Sequence, residues 1–211
     1  NLIGQGEEVT IIDAEQTDIV IIMNYCENNI ISDLTITGGY ASGGGLYISH
    51  SNVTLLDMII KGNQSSAAGG GIFSANSTLI LINVSIYNNT CYGGGGGISS
   101  AGDNLLLNNV TIANNGATGG GAGIIFWNLG GTAVSITNSI IWGNDYPYVG
   151  DESCNCNITS YLDTEYSFVS LSITYSNIGG GWEGAENINA DPQFTDPENG
   201  DFTLQPTSPC I

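Results

Sequence analysis

The chain has 211 residues, with 20 acidic side chains against one basic one, Lys61, and a formal net charge of −19. Without arginine it has almost none of the cations that displace counterions from phosphates, which excludes nucleic acid and anionic membrane surfaces as partners. Hydrophobic residues make up 41 % of the chain, too many for a disordered acidic polymer, and no apolar run approaches the ~18 residues of a membrane span, so no membrane insertion is expected.

Residues 1–20 show neither the basic start nor the cleavage pattern of a secretory leader. Residues 10–21, "TIIDAEQTDIVI", carry short apolar stretches, and a repeat follows. "GGGLYIS", "GGGIFSA", "GGGGGISS" and "GGAGIIFW" end their glycine runs at Gly45, Gly71, Gly97 and Gly123, each 26 residues after the last. Val53, Leu79 and Leu105 keep the same interval, as do Leu55, Leu81 and Leu107, then Met58, Val84 and Val110, then Ile60, Ile86 and Ile112. Within one repeat the paired apolar positions lie two apart, which is strand periodicity. Their inward phase slips at Asp57, Asn83 and Asn109. Looser spacings extend the pattern to Asp33-Leu34-Thr35-Ile36 on one side and to Asn138 and Tyr175 on the other.

Two or three short strands per repeat and no helix predict an all-β fold, a parallel β-helix of about seven coils about 30–35 Å long, stacked at strand spacing. Gly45, Gly71, Gly97 and Gly123 are expected at a corner that needs positive φ and close backbone approach. Two asparagine rows are expected to stack as ladders: Asn63, Asn89, Asn115 and Asn144 at one corner, and Asp57, Asn83, Asn109 and Asn138 at another. Seven N-x-S/T sequons result (Asn52, Asn63, Asn76, Asn83, Asn88, Asn109, Asn157), several of them inside these ladders, so turn and ladder chemistry explains them better than glycosylation.

The period breaks at 145–166, "DYPYVGDESCNCNITSYLDTEY", read as an insertion loop after the regular coils of 1–144. One more coil is expected at 167–180 and a capping tail at 181–211. Five cysteines leave at least one without an intramolecular partner. Cys154 and Cys156, with His50 as the one histidine, make a poor zinc site. The expected use is a bridge from Cys210 to Cys154 or Cys156 that pins the tail. Cys26 and Cys91 fall at different places in their repeats.

The segments "TIIDAEQTDIVI", "ISDLTITGGYASGGGLYIS", "NVTLLDMIIKGN" and, most specifically, "NADPQFTDPENGDFTLQPTSPCI" resemble right-handed parallel β-helix repeat proteins of the secreted bacterial type. They are similar to the Gly-Gly-Ile repeats of polymorphic outer-membrane adhesins. The resemblance covers nearly the whole chain. It implies a right-handed coil, an extracellular or cell-surface location, and neighbouring segments beyond both ends of this sequence. Some β-helix relatives are pectin-type lyases and hydrolases, which brings an enzyme into consideration.

A lyase wants a basic proton acceptor and a cation held by acids. Lys61 lies in "IIKGN", which recurs as "IYNN" and "IANN", and is read as a turn residue. A hydrolase wants two carboxylates. Asp33 and Asp57 sit one coil apart and Asp103 at a further corner, but they occupy positions where asparagine stacks elsewhere. His50 is read as an exposed turn residue. Asp196, Glu198 and Asp201 of "DPENGD" are weak calcium candidates, and no other cofactor is expected. Thr54, Thr111 and Thr132 are too scattered for an ice-binding face. The expectation is an extracellular structural or adhesive module without catalysis, conceivable as the subunit of a surface fibre or filament. Its partners are then further copies of itself or cell-surface glycans. The alternative is a carbohydrate-binding or carbohydrate-cleaving β-helix, with a site near Trp127, Trp142 or Trp182. Packing at coil ends and beneath loops is the favoured role of these tryptophans.

Overall fold

Period-two alternation makes strands, and a constant repeat lays each strand on its copy one coil later. In the computed structural model, which describes residues 1–127, 133–145, 157–161 and 170–211, this produces an all-β parallel solenoid of about five turns. The first sheet stacks the long strands Asn29–Thr37, Asn52–Lys61, Thr78–Tyr87 and Asn104–Ala113, then Ala133–Thr137 with Ile140–Trp142, then Ser170–Thr174 with Asn177–Ile178. The second stacks Ile21–Asn24, Leu46–Ser49, Ile72–Ala75, Ile98–Ala101, Ile124–Trp127 and Ile158–Tyr161. The third, of two-residue strands, stacks Gln64–Ser65, Thr90–Cys91 and Gly116–Ala117.

Register follows the sequence interval. Leu55 pairs Leu81, which pairs Leu107, and Ile60, Ile86, Ile112 and Ile141 form another continuous column. All seven side chains are fully buried, with Leu46, Ile72, Ile98 and Ile124 of the second sheet also in the same core. Each such burial contributes about 1.5–3 kcal/mol, an upper figure for a chain that is partly collapsed when unfolded.

The slip in phase has a backbone cause. Asp33, Asp57, Asn83, Asn109, Asn138 and Tyr175 hold φ between 51° and 59°, a left-handed residue that bends each long strand into two inward-facing halves. Asn and Asp tolerate this conformation better than other side chains, which is why they recur there.

The count of about five turns, against about seven expected, reflects both ends. Leu2–Ile3 and Ile11–Asp13 both pair with the one strand Asn29–Thr37 and do not form a coil of their own. Beyond Ile178 the chain leaves the solenoid. Residues 157–161 lie inside the span read as an insertion loop, yet they rejoin the second sheet, with Ile158 pairing Ile124. Asp145, at the start of that span, bridges to Gly116; residues 146–156, with Cys154 and Cys156, and 162–166 lie outside the described residues.

The tail does two things rather than one. Residues 182–190 close the last coil: Trp182 packs on the end of the core, Ala185 O accepts from Tyr175 N at 2.8 Å, and Ile188 O accepts from Ile178 N at 3.0 Å. Asn177 then grips Ala190, its Nδ2 donating to Ala190 O at 2.7 Å and its Oδ1 accepting from Ala190 N at 3.2 Å. From there the chain runs back along the flank of the rod as an antiparallel hairpin, Phe194–Asp196 with Asp201–Leu204. Phe202 packs its ring 4.8 Å from Tyr87 and 5.0 Å from Phe194. Tyr87 and Ala113, neighbours in the first sheet, are buried. We call this hairpin the strap.

Candidate functional site

The glycine runs and the first asparagine row form one device. Asn63 Nδ2 donates to Asn89 Oδ1 at 2.9 Å, Asn89 to Asn115 at 3.0 Å, and Asn115 to Asn144 at 2.9 Å. Each acceptor oxygen also takes the backbone N–H of the preceding asparagine, at 3.0 Å in all three steps. All four residues are buried. Gly45, Gly71, Gly97 and Gly123 leave room for them. A Cβ at Gly97 would lie 2.6 Å from Gly123 O and 3.2 Å from Asn115 Nδ2; Gly45 and Gly71 meet the equivalent glycine carbonyl and asparagine amide, and Gly123 meets Asn157 O and Asn144 Nδ2. None of these four glycines has positive φ; that role falls two residues earlier, at Gly43, Gly69, Gly95 and Gly121. The final glycines are required by close approach alone.

Asn157 is a rung that spacing did not reveal. Aligning Ile158 with Ile124 puts Asn157 in the glycine column. Its side chain turns inward, accepts from Asn144 Nδ2 at 2.8 Å and donates to Gly179 O at 3.0 Å. The signal was the strand alignment, obscured because Asn157 follows Asn144 by 13 residues. Asn63 and Asn157 are therefore buried sequons, whereas Asn52, Asn76 and Asn88 are exposed.

The second row is a surface ladder of opposite sense. Asn83 Nδ2 donates back to Asp57 Oδ1 at 2.8 Å and Asn109 back to Asn83 at 2.7 Å, while Asn138 reaches Asn108 at 3.0 Å. Asp33 and Asp57 are stacked neighbours at the bend, as Leu34–Met58 pairing requires. Asp57 thus accepts the ladder bond from Asn83. Lys61 Nζ sits 5.8 Å over the Tyr87 ring. His50 is exposed, its Nδ1 2.8 Å from Ser49 Oγ and its ring stacked 5.0 Å from Tyr25. The three tryptophans are half-buried. Trp127 Nε1 donates to Ser99 Oγ at 3.1 Å, and Trp142 lines a hollow with Phe194 and Pro197 of the strap.

Asp196, Glu198 and Asp201 share the strap turn, with Asp196 directly opposite Asp201. Asp196 Oδ2 accepts from Asn199 Nδ2 at 2.8 Å. The Thr203 hydroxyl and amide both donate to Asp201 Oδ1, which holds its carboxyl below the usual range. These oxygens serve the turn, and among the described residues no group of three or more His, Cys, Asp or Glu is placed to hold a metal.

Two buried titratable groups remain. Asp103 continues a corner column from Ser51 and Ser77: Ser51 Oγ accepts from Cys26 N, Ser77 Oγ from Ser51 N at 3.1 Å, and Asp103 Oδ1 from Ser77 N at 2.7 Å. Its Oδ2 accepts from Ser100 Oγ at 2.8 Å. It is fully buried, and burial pushes its pKa up against the pull of these donors. A raised folded pKa means the folded state holds its proton longer than the unfolded one, so this group's contribution to stability falls as pH rises through the window above the ordinary carboxylate value. Asp103→Asn should therefore gain stability relative to the parent between pH 4 and pH 7, measured as the difference in urea unfolding free energy at the two values. A constant difference would refute this.

Cys91, in the third sheet, is buried with Ala117 and Ala122, and desolvation raises its thiol to about 11. Thiolate is the reactive species. At pH 8 a disulfide reagent should modify Cys91 only after denaturation; prompt modification of Cys91 in the native protein would contradict its placement. Cys26 and Cys210 are half-buried free thiols, and Cys210 Sγ accepts from Asn177 Nδ2 at 3.1 Å.

Between the strap and the bend of the last coils lies an open groove of ≈ 780 Å³. Asn109, Asn138 and Tyr175 of the bend line it together with Phe202 and Thr203 of the strap, and Glu186 is also in its lining.

No family model matches the chain, and no match to it was found among the curated proteins or the solved structures.

Proposed function

We propose that this chain is an extracellular structural or adhesive module, a rigid β-solenoid without catalytic activity, of the kind found in the secreted bacterial repeat proteins it resembles. One observation carries the reading. The polar side chains that recur along the coils are bonded to one another from coil to coil, so they serve to stiffen the rod and are not gathered at a reaction centre. The acidic surface with one lysine suits an exposed location, since it leaves trypsin-like proteases a single cleavage point. Residues 182–190 bond to the last coil at Ile173, Tyr175, Ser176 and Ile178, which favours a module within a larger assembly over a filament grown by direct coil-on-coil continuation at that end.

The test has two arms. Antibody against the folded module should label intact, unpermeabilised cells of the organism that makes it. Incubation with pectic and neutral polysaccharides, with and without calcium, should release neither reducing ends nor unsaturated products. Labelling only after permeabilisation would reject the location, and product release abolished by Asp33→Asn or Asp57→Asn would reject the non-catalytic assignment.

A further inference from the structure

The left-handed bends of the first sheet end on a residue that does not suit them. From Asp33 to Asn138 the column uses short polar side chains, but at Tyr175 a bulky ring takes φ +53°. A left-handed conformation is a marked outlier for such a side chain, and Asn would fit with less strain. Burial does not compensate, because Tyr175 is 59 % exposed. A local rule broken with no gain in packing points to a site where strain is retained for function.

Tyr175 forms part of the wall of the groove between the bend and the strap. We propose that this groove binds a neutral, linear oligosaccharide, with the Tyr175 ring as its stacking platform. The proposal rests on the adhesive reading and names the ligand class. The other groups of the groove are suited to hydroxyls. Asn109 and Asn138 each donate one amide proton to the ladder, to Asn83 and Asn108, and keep their own Oδ1 for a ligand donor. Successive rungs are separated by the strand spacing of about 4.8 Å, comparable to one sugar unit, so consecutive units meet consecutive amides. Tyr175 and Phe202 supply apolar ring surface for the C–H face of a pyranose. No lysine or arginine lines the groove, and the chain carries −19, which disfavours uronates, sulfates and phosphates.

Calorimetric titration and ligand-observed saturation-transfer NMR with chitotetraose, cellotetraose, tetragalacturonate and tetralysine decide the matter. One of the two neutral tetrasaccharides should bind saturably. Tyr175→Asn should weaken it at least tenfold while the unfolding midpoint stays level or rises, and Tyr175→Phe should bind within threefold of the parent. A ring with a merely structural role would lower the midpoint when replaced by Asn, and that result overturns the proposal. So does silence of both neutral ligands at millimolar concentration, binding indifferent to Tyr175→Asn, or preference for tetragalacturonate or tetralysine. Shortening of a bound oligosaccharide during the titration would instead reject the non-catalytic reading and keep the site, whereas absence of binding would leave the structural reading standing.

Discussion

Asn115→Ala should lower the unfolding free energy by about 3–5 kcal/mol, the sum expected when buried donors lose their acceptors at ~1–3 kcal/mol each. Asn115 Oδ1 accepts from both the backbone N and the Nδ2 of Asn89, and alanine leaves both donors buried without that partner. The bonds from Asn115 Nδ2 to Asn144 Oδ1, Ile86 O and Ala113 O vanish with the side chain. At ~2–4 °C per kcal/mol for a chain of this size, the melting midpoint should fall by roughly 10 °C. Asn109→Ala is the control. It removes one surface bond to Asn83 and places alanine at φ 57°, a cost of about 1–2 kcal/mol. Denaturant titration of the two variants measures the contrast, and equal losses would show that the buried ladder holds no special share of the stability.

The second large effect is expected at the glycine column. Gly97→Ala sets a methyl 2.6 Å from Gly123 O, 2.9 Å from Ile112 Cγ2 and 3.2 Å from Asn115 Nδ2. The nearest obstacle is backbone of the next coil, so relief requires separating the coils and lengthening the ladder bonds. A loss of about 4–6 kcal/mol, or failure to fold, is the expected outcome, at the far end of what overpacking produces. Gly62→Ala provides the comparison: its φ is +63°, but its nearest neighbour is Thr37 Oγ1 at 3.3 Å, so it should lose only about 1–2 kcal/mol. Urea unfolding of both variants checks the order, and a Gly97 variant within 2 kcal/mol of the parent would refute the crowding argument.

Much of the architecture was legible because a solenoid repeats its physics. The interval between Leu55, Leu81 and Leu107 is their pairing register, and the phase slip at Asp57, Asn83 and Asn109 is a left-handed bend. Spacing even placed Tyr175 in that column, although its exposure and its groove could not be foreseen. What periodicity reports is which way a side chain points, not which atom it meets. It could not separate the close approach at Gly97 from the positive φ at Gly95, nor tell the buried row from the exposed one. Asn157 was missed because an irregular interval hid its register. The strap has no repeat, and nothing in "DPENGDFTL" announces that Phe202 will lie against Tyr87.

The two amide rows run in opposite senses, and the buried one gives the rod a polarity of assembly. Each buried asparagine directs its backbone N–H and an amide proton to the rung that follows in sequence. A chain emerging from the ribosome therefore presents, at every stage, a newest rung whose donors are met only when another coil arrives. Gly179 O ends the series by accepting from Asn157. Shortening the rod from its beginning removes a donor, Gly39 N, from Asn63 Oδ1, and an acceptor, Ile36 O, from Asn63 Nδ2, which keeps Lys61 O and Asn89 Oδ1; an under-used carbonyl oxygen is tolerated. Shortening it from its end strands buried N–H groups, which proteins seldom tolerate. Coils can thus be lost or gained more readily at the N-terminal side, and variation in rod length between related molecules should accumulate there.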